Sequence, residues 1–355
     1  MADMAIVVGV RPQFVKVRDF LRHAARIQHH DEIPIRFHIY DTRQHYSPEL
    51  RLEVAQLGTS PWEERSPEKS EHILTDSIAW ILDRIRASDI SFSRVLVFGD
   101  ANPALVGAVA SSQCHIPLAH IEAGARRNPN EIEHRNGRMV DAVADVLGCV
   151  TRQHVANLAA EGHEGGVHLL GDISGQRILG EISSGKIAVE HSTRRRGSIV
   201  AIHRLANCTT ETLTACIEAA SSVATPVRVL AHPRLRELLP RSIPSHVTIL
   251  PPQPHHAILS LVGVSRILIS DSGGLIREAH YVRTPVVVLR SHGAWEELIS
   301  AGYNRRSSAS LPAIAAAAEA LLRHVGTIEW ETPYIYEDFD SRFAQFLTAL
   351  AERRY

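Results

Sequence analysis

Two segments of this chain, VLVFGD…AHIEAGAR (95–126) and ILISDSGGLIREA (267–279), constrain its fold more than any other feature. Each is a β-branched apolar run that stops abruptly at Asp, Glu, Ser or Gly. A strand buried on both faces of a parallel sheet reads this way when it delivers polar groups to the carboxyl edge. Two such edges in one chain predict two sheets facing a shared cleft. The first edge carries an Asp and a Glu and the second a Ser-Gly-Gly turn, a set suited to acid/base chemistry on a phosphate-bearing ligand.

The rest of the chain follows the same grammar. Apolar runs at 4–9, 36–41, 94–99, 116–121 and 148–151 alternate with helical stretches at 14–27, 71–87, 102–113 and 136–147. This is the βαβ order of a doubly wound sheet. A Gly-rich crossing (161–172) and a polar stretch (183–197) follow, and the pattern restarts with SIVAIH at 198–203. It continues through VRVLAH, VTILPP, RILISD and PVVVLR. The fold class expected is α/β, with two Rossmann-like domains facing a central cleft. The domains are residues 1–170 and 171–336, and 337–355 forms an amphipathic C-terminal helix packing back across them. At 355 residues the chain is long enough for two cores.

Composition removes several classes of function. Basic and acidic residues nearly cancel, 38 against 39, so no broad field draws nucleic acid or an anionic membrane. The run Arg194, Arg195, Arg196 reads as a solvated linker. No apolar run approaches the roughly 20 residues of a membrane span, and MADMAIVVGVRP lacks the basic start and cleavage site of a signal peptide. Cys114, Cys149, Cys208 and Cys216 have no CxxC spacing, so a reduced, cytoplasmic protein is expected. The 21 histidines are scattered without metal-cage spacing, and no metal site is expected.

Four local constellations carry chemistry, each with a plainer alternative. After the first strand, Gly9-Val10-Arg11-Pro12 lets a helix begin with Arg11 and Lys16 near its N-terminus, where free N–H groups and cations suit a phosphate. An ordinary strand-to-helix turn is the alternative. Asp100 and Glu122 end two runs that would be adjacent parallel strands, so their carboxylates share a crevice with Glu133 nearby, and one of their pKa values can rise. Asp100 as a helix N-cap is the alternative. His203 ends the first strand of the second half, either facing a ligand or simply satisfied at the strand end. Ser272-Gly273-Gly274 opens a helix as a phosphate turn would, with Glu278 one turn later; a single SGG is a weak signal.

Taken together and in order, these stretches resemble the non-hydrolysing UDP-N-acetylglucosamine 2-epimerase family. The matches are GVRPQFVK (9–16), TRQHYSPEL (42–50), VFGDANPALVGAVA (97–110), IPLAHIEAGAR (116–126), EHRNGRMVDAVAD (133–145), HLLGD (168–172), AIHR (201–204), AHPR (231–234) and ISDSGGLIREA (269–279). The resemblance implies a GT-B-like fold and an elimination followed by re-addition. A base removes the C2 proton, UDP departs from C1 to leave a glycal, and UDP adds back after proton return to the opposite face. It implies catalytic roles for Asp100, Glu122, Glu133 and His203. Substrate-binding roles fall on Arg11, Lys16, His232, Ser272, Gly273, Gly274 and Glu278, the last on the ribose. The implied partner is a nucleotide sugar, with no cofactor, and a homodimer is expected.

The chain also departs from the family pattern. Glu-Glu-x-Asn-Arg has become Glu133-His134-Arg135-Asn136-Gly137, and Thr-Glu-Arg-Pro-Glu has become His292-Gly293-Ala294-Trp295-Glu296. Thr-Gly-Gln-His is Thr42-Arg43-Gln44-His45, His-Arg-x-Glu-Asn is His203-Arg204-Leu205-Ala206-Asn207, and the base-binding stretch 252–258 has lost both aromatics. These changes spare the catalytic set while altering the surroundings of the nucleotide and sugar. A divergent member with a changed substrate, in a specialised or antibiotic pathway, is therefore expected. A hydrolysing epimerase, a sugar transferase and a non-catalytic binding protein are the alternatives.

Overall fold

Strand β4, Phe92–Phe98, is buried at all seven positions, and only cover on both faces can bury such a strand. The computed structural model describes residues 2–31, 33–44, 62–64, 72–231, 233–239, 242–291, 293, 295–324 and 329–352. In it, β4 lies at the centre of a parallel sheet ordered β3-β2-β1-β4-β5-β6-β7. The other strands are β1 (Ala2–Val8), β2 (Ile35–Asp41), β3 (Trp62–Glu64), β5 (Leu118–Ile121), β6 (Val146–Cys149) and β7 (Val167–Leu169).

Alternation along each strand divides the side chains between two layers. Met4, Ile6 and Val8 of β1 face Phe14, Val17 and Phe20 of helix α1 (Arg11–Asp31). Ala5 and Val7 face the opposite way, towards Ile81 and Ile85 of α2 (Ile73–Ala87) and Ala104 and Ala108 of α3 (Asn102–Gln113). Helices α4 (Ile132–Val143) and α5 (Arg152–Ala160) follow β5 and β6.

The chain separates into two units, Met1–Ser174 with Pro333–Tyr355, and Gly175–Thr332. The division falls in the first turn of α6 (Ile173–Ser183). The Gly-rich stretch 161–172, read above as a crossing, instead contains β7, the last strand of the first sheet.

The second unit has a parallel sheet ordered β10-β9-β8-β11-β12-β13. Its strands are β8 (Ser198–Ala201), β9 (Val227–Leu230), β10 (Val247–Leu250), β11 (Ile267–Ser270), β12 (Val286–Val288) and β13 (Asn304–Arg306). Val200, Val227, Val229 and Ile269 pack against Leu213 and Ile217 of α7 (Thr210–Val223). Ile314 and Leu321, on a later helix (Leu311–His324), complete that core. Arg195, expected to be solvated, is buried. Its guanidinium donates to the carbonyls of Val282 (2.8 Å), Arg283 (2.5 Å) and Glu190 (2.9 Å). All four cysteines carry free thiols. No helix among the described residues is long and apolar enough to cross a membrane.

Candidate active site

The carboxyl edge of the first sheet is where its polar groups gather. Strands β4 and β5 pair in parallel, with Phe98 opposite Ile121, so the residues that follow them emerge side by side. After β4, Gly99 turns through a φ of 65°. A Cβ on Gly99 would stand 2.9 Å from Lys16 Nζ. Asp100 follows, and it is not a helix cap: α3 is capped by Ala101, and the Asp100 carboxylate instead receives Arg127 Nε at 2.5 Å. Arg127 keeps its charge, since burial opposes it but Asp100, Glu122 and Glu131 together raise its pKa.

Glu122, directly after β5, adopts a φ of 69°, a left-handed conformation that costs a side-chain-bearing residue roughly 1 kcal/mol or more. Three contacts hold it there. The N–H groups of Glu122 and Ala123 both donate to the Gly148 carbonyl, at 2.9 and 3.1 Å, and Lys16 Nζ reaches Glu122 Oε2 at 2.5 Å. Lys16 comes from α1, which starts at Arg11 as expected; Arg11 itself is exposed. Gln13 secures that helix entry by accepting from Gly9 N (3.1 Å) and donating to the Phe98 carbonyl (3.0 Å). A small cavity lined by Lys16, Glu122, Gly148 and Asp172 opens beside the ion pair.

Glu133 lies half-buried in the first turn of α4. The residues three and four positions later share its helix face. Asn136 donates to Asn102 Oδ1 at 3.1 Å, and a Cβ on Gly137 would stand 3.5 Å from Asp100 Cβ. That face therefore borders Asp100 at Gly137, one helical turn beyond Glu133.

In the second unit, His203 is exposed just beyond β8, and its backbone N–H donates to Asp271 Oδ1 at 2.8 Å. Asp271 is fully buried and also accepts from Arg204 N and Asn207 Nδ2, so it holds the His203 turn against the end of β11. Ser272 caps helix α10 (Gly273–Tyr281), its hydroxyl accepting from Leu275 N at 3.5 Å. A Cβ on Gly273 would stand 3.0 Å from Arg290 Nη1, so the phosphate-type turn has a guanidinium beside it. Trp295 Nε1 donates to the Gly273 carbonyl at 2.8 Å, while Arg277 stacks over the Trp295 ring at 4.8 Å.

Glu278 is engaged within its own unit. His255 Nε2 lies 3.0 Å from Glu278 Oε2, and Arg177 Nη2 lies 3.3 Å from His255 Nδ1. Burial would raise the Glu278 pKa, but His255 and the charges of Arg277 and Arg177 outweigh it and bring the pKa down to about 2. His232 lies outside the described residues. Among the described residues, no cluster of three or more His, Cys, Asp or Glu could hold a metal ion.

A family model described as UDP-N-acetylglucosamine 2-epimerase matches residues 27–348. The chain belongs to that family. The UDP-2,3-diacetamido-2,3-dideoxy-D-glucuronate 2-epimerase of Pseudomonas aeruginosa is 29% identical over 317 residues, covering 84% of this chain and 86% of its own. The UDP-GlcNAc 2-epimerase of Methanocaldococcus jannaschii, crystallised with UDP-GlcNAc and UDP, superposes with a TM-score of 0.79 at 21% identity, covering 98% of this chain and 99% of its own. The enzyme from Neisseria meningitidis bound to UDP-GlcNAc gives 0.82 at 20% identity over 98% and 100%. This likeness establishes the GT-B-like α/β fold.

Family membership gives the departures a geometry. Where the family carries an arginine, this chain has Gly137, beside Asp100, and Arg127 supplies a guanidinium to the same carboxylate. His134, in place of the family's second glutamate, accepts from Arg127 N at 3.1 Å and so helps to hold that arginine. In the altered stretch 292–296, Trp295 secures the Ser-Gly-Gly turn, while Arg290, at the end of PVVVLR, brings the nearby cation. Sequence reasoning missed Arg127, Arg290 and Trp295. The available signal for Arg290 was a charged residue at the carboxyl end of a buried strand; Arg127 and Trp295 offered none.

Proposed function

We propose that the chain is a 2-epimerase of a UDP-linked 2-acetamido sugar, acting by elimination and re-addition of UDP. The observation that carries this reading is the pairing of both strand-end carboxylates with cations, Asp100 with Arg127 and Glu122 with Lys16. In the proposed cycle one of these carboxylates takes the C2 proton as a general base, and a neighbour returns a proton to the opposite face. Glu133 is proposed to act beside them, and His203 is the candidate acid or base of the second unit. As the C1–O bond breaks, charge moves onto UDP. The proposed receivers are the N–H groups at the start of α10, Ser272 to Gly274, with Arg290 beside them. Arg11 is proposed to approach the phosphates and Glu278 the ribose.

The reading extends to a sugar other than N-acetylglucosamine, because the changed residues surround the reactive groups and the Pseudomonas relative is named for a 2,3-diacetamido uronate. It also extends to a homodimer, and the absence of CxxC spacing among the four cysteines suggests a reducing, cytoplasmic setting. The deciding experiment is incubation with UDP-N-acetylglucosamine and UDP-2,3-diacetamido-2,3-dideoxy-D-glucuronate in deuterated water, read by mass spectrometry and NMR. Deuterium at C2 with UDP still attached supports the epimerase. Free UDP with free sugar makes the protein a hydrolysing enzyme, and tight binding without exchange makes it a binding protein.

A further inference from the structure

Behind the two carboxylates lies a histidine that the proposed chemistry does not use. His120, the third residue of β5, is 1% exposed, and both ring nitrogens meet acceptors. Nδ1 lies 2.7 Å from Asp141 Oδ1, and Nε2 lies 2.8 Å from the Gly99 carbonyl oxygen. A carbonyl has no proton to give. Asp141 has none either: burial pushes its pKa up, but His120 and Arg126 outweigh that and hold it below the usual carboxylate range. An acceptor at each ring nitrogen is the geometry that an imidazolium, with a hydrogen on both nitrogens, satisfies in full. The other charged group on Asp141 is Arg126, and the Cys149 thiol, pushed up to about 12 by burial and Asp141, stays neutral.

The ring ties together two turns through partners that each lie 21 residues from it in sequence, Gly99 before and Asp141 after. One end holds the residue before Asp100. The other end holds Asp141, whose second oxygen accepts from Gly124 N at 3.2 Å and Arg126 Nη1 at 2.8 Å, two and four residues past Glu122. Gly124 itself has a φ of 76° and lies so close to α5 that a Cβ would meet the His154 carbonyl at 2.4 Å. Glu122, in its own left-handed conformation, thus sits between β5 and a turn fixed from below.

We propose that His120 is a positioning residue: as a buried imidazolium it locks the Gly99–Asp100 turn to the Glu122–Gly124 turn and fixes the spacing of the two carboxylates. This rests on the reading of Asp100 and Glu122 given above, and two measurements separate the two claims. The first is ¹⁵N NMR of histidine-labelled protein at neutral pH, with His120 assigned by its loss in His120→Gln. Protons on both ring nitrogens are expected, and a neutral ring overturns the proposal whether or not the protein is an epimerase.

The second is steady-state turnover with the UDP sugar that exchanges at C2. His120→Gln, which can serve one of the two acceptors, and Asp141→Asn should each lower kcat by up to about a hundredfold, the cost of a misplacement of about 1 Å. KM should stay within about threefold of wild type and the circular dichroism unchanged, because binding groups are untouched. Since the two residues act as one unit, the double variant should be no worse than the weaker single variant. Full kcat in folded His120→Gln, or multiplying losses in the double variant, overturns the proposal. If His120→Gln fails to fold, Asp141→Asn, which leaves the ring and its Gly99 bond, decides the kinetic test. If no nucleotide sugar turns over with the wild type, the epimerase reading fails and the ring's protonation still decides the clamp.

Discussion

Replacing Asp100 by Asn or Glu122 by Gln removes a charge but almost no volume, and His203 is exposed, so rate losses at these positions report chemistry rather than packing. Asp100→Asn, Glu122→Gln and His203→Ala should each lower turnover at least about a hundredfold, the usual span of a general acid or base being 10²–10⁴. Near-normal rates in all three folded variants would sink the catalytic assignment. Arg127 permits a sharper test, because a Cβ added at Gly137 would stand 3.5 Å from Asp100 Cβ, an ordinary contact that leaves room for a side chain beside the same residue. Arg127→Ala should cost roughly tenfold or more in kcat/KM, as loss of a charge-assisted bond to Asp100. Adding Gly137→Arg should recover most of that loss, and a double variant as slow as Arg127→Ala would show that the two positions are not equivalent. The carboxylates were legible in the sequence because each ends a buried strand. Their pairings were not, since Lys16, itself a candidate from the sequence, lies 106 residues from Glu122 and only tertiary structure joins them.

At the scale of elements, sequence signals succeeded where burial was continuous and failed where strands were short. Strands β4, β8 and β11 are buried throughout and announce themselves as apolar runs. Strands β3, β7 and β13 are three residues each, with WEE, VHL and NRR too polar or too brief to show a period. The C-terminal helix α13 (Phe339–Ala351) shows how a charge in a buried strand earns its place. Phe343 and Phe346 pack into the core beside Phe20, whose ring lies 5.4 Å from that of Phe343. Arg94, in the middle of β4 and 1% exposed, donates to the carbonyls of Leu350 (3.0 Å), Ala349 (3.3 Å) and Glu352 (2.9 Å) at the helix end. Those carbonyls have no partner further along the helix, and the helix dipole favours a cation there. Arg94→Met should keep the apolar stem but lose the three bonds, destabilising the first unit by roughly 2–4 kcal/mol. A denaturant midpoint unchanged from wild type would show that the clasp contributes nothing.

For the whole molecule, charge balance decides what acid can do. With 38 basic and 39 acidic residues, mild acidification does not begin from a large net repulsion, so early losses of stability must come from individual buried groups. His280 is the clearest of these, being 2% exposed with Nε2 bonded at 2.5 Å to the Glu331 carbonyl. Burial lowers its pKa from 6.5 to about 4, Arg283 adding to the effect and the Glu331 bond opposing it. In the unfolded chain the same ring protonates near 6.5. Its neutral form is therefore stabilising in full above pH 6.5, and that contribution is lost progressively as the pH falls towards 4. The shift sets a ceiling of roughly 3–4 kcal/mol on this loss, taking about 1.4 kcal/mol per pH unit. Glu278, brought from 4.5 to about 2, acts in the next window: its contribution is present above pH 4.5 and disappears towards pH 2. The two windows follow one another within a single unit, so they separate by mutation. His280→Gln retains a side-chain donor for the Glu331 carbonyl but does not titrate. Calorimetry of this variant should show a transition temperature for the second unit that is nearly flat between pH 6.5 and 4.5, while the steeper fall below pH 4.5 remains. A wild-type slope in the upper window would mean that another group carries the acid sensitivity.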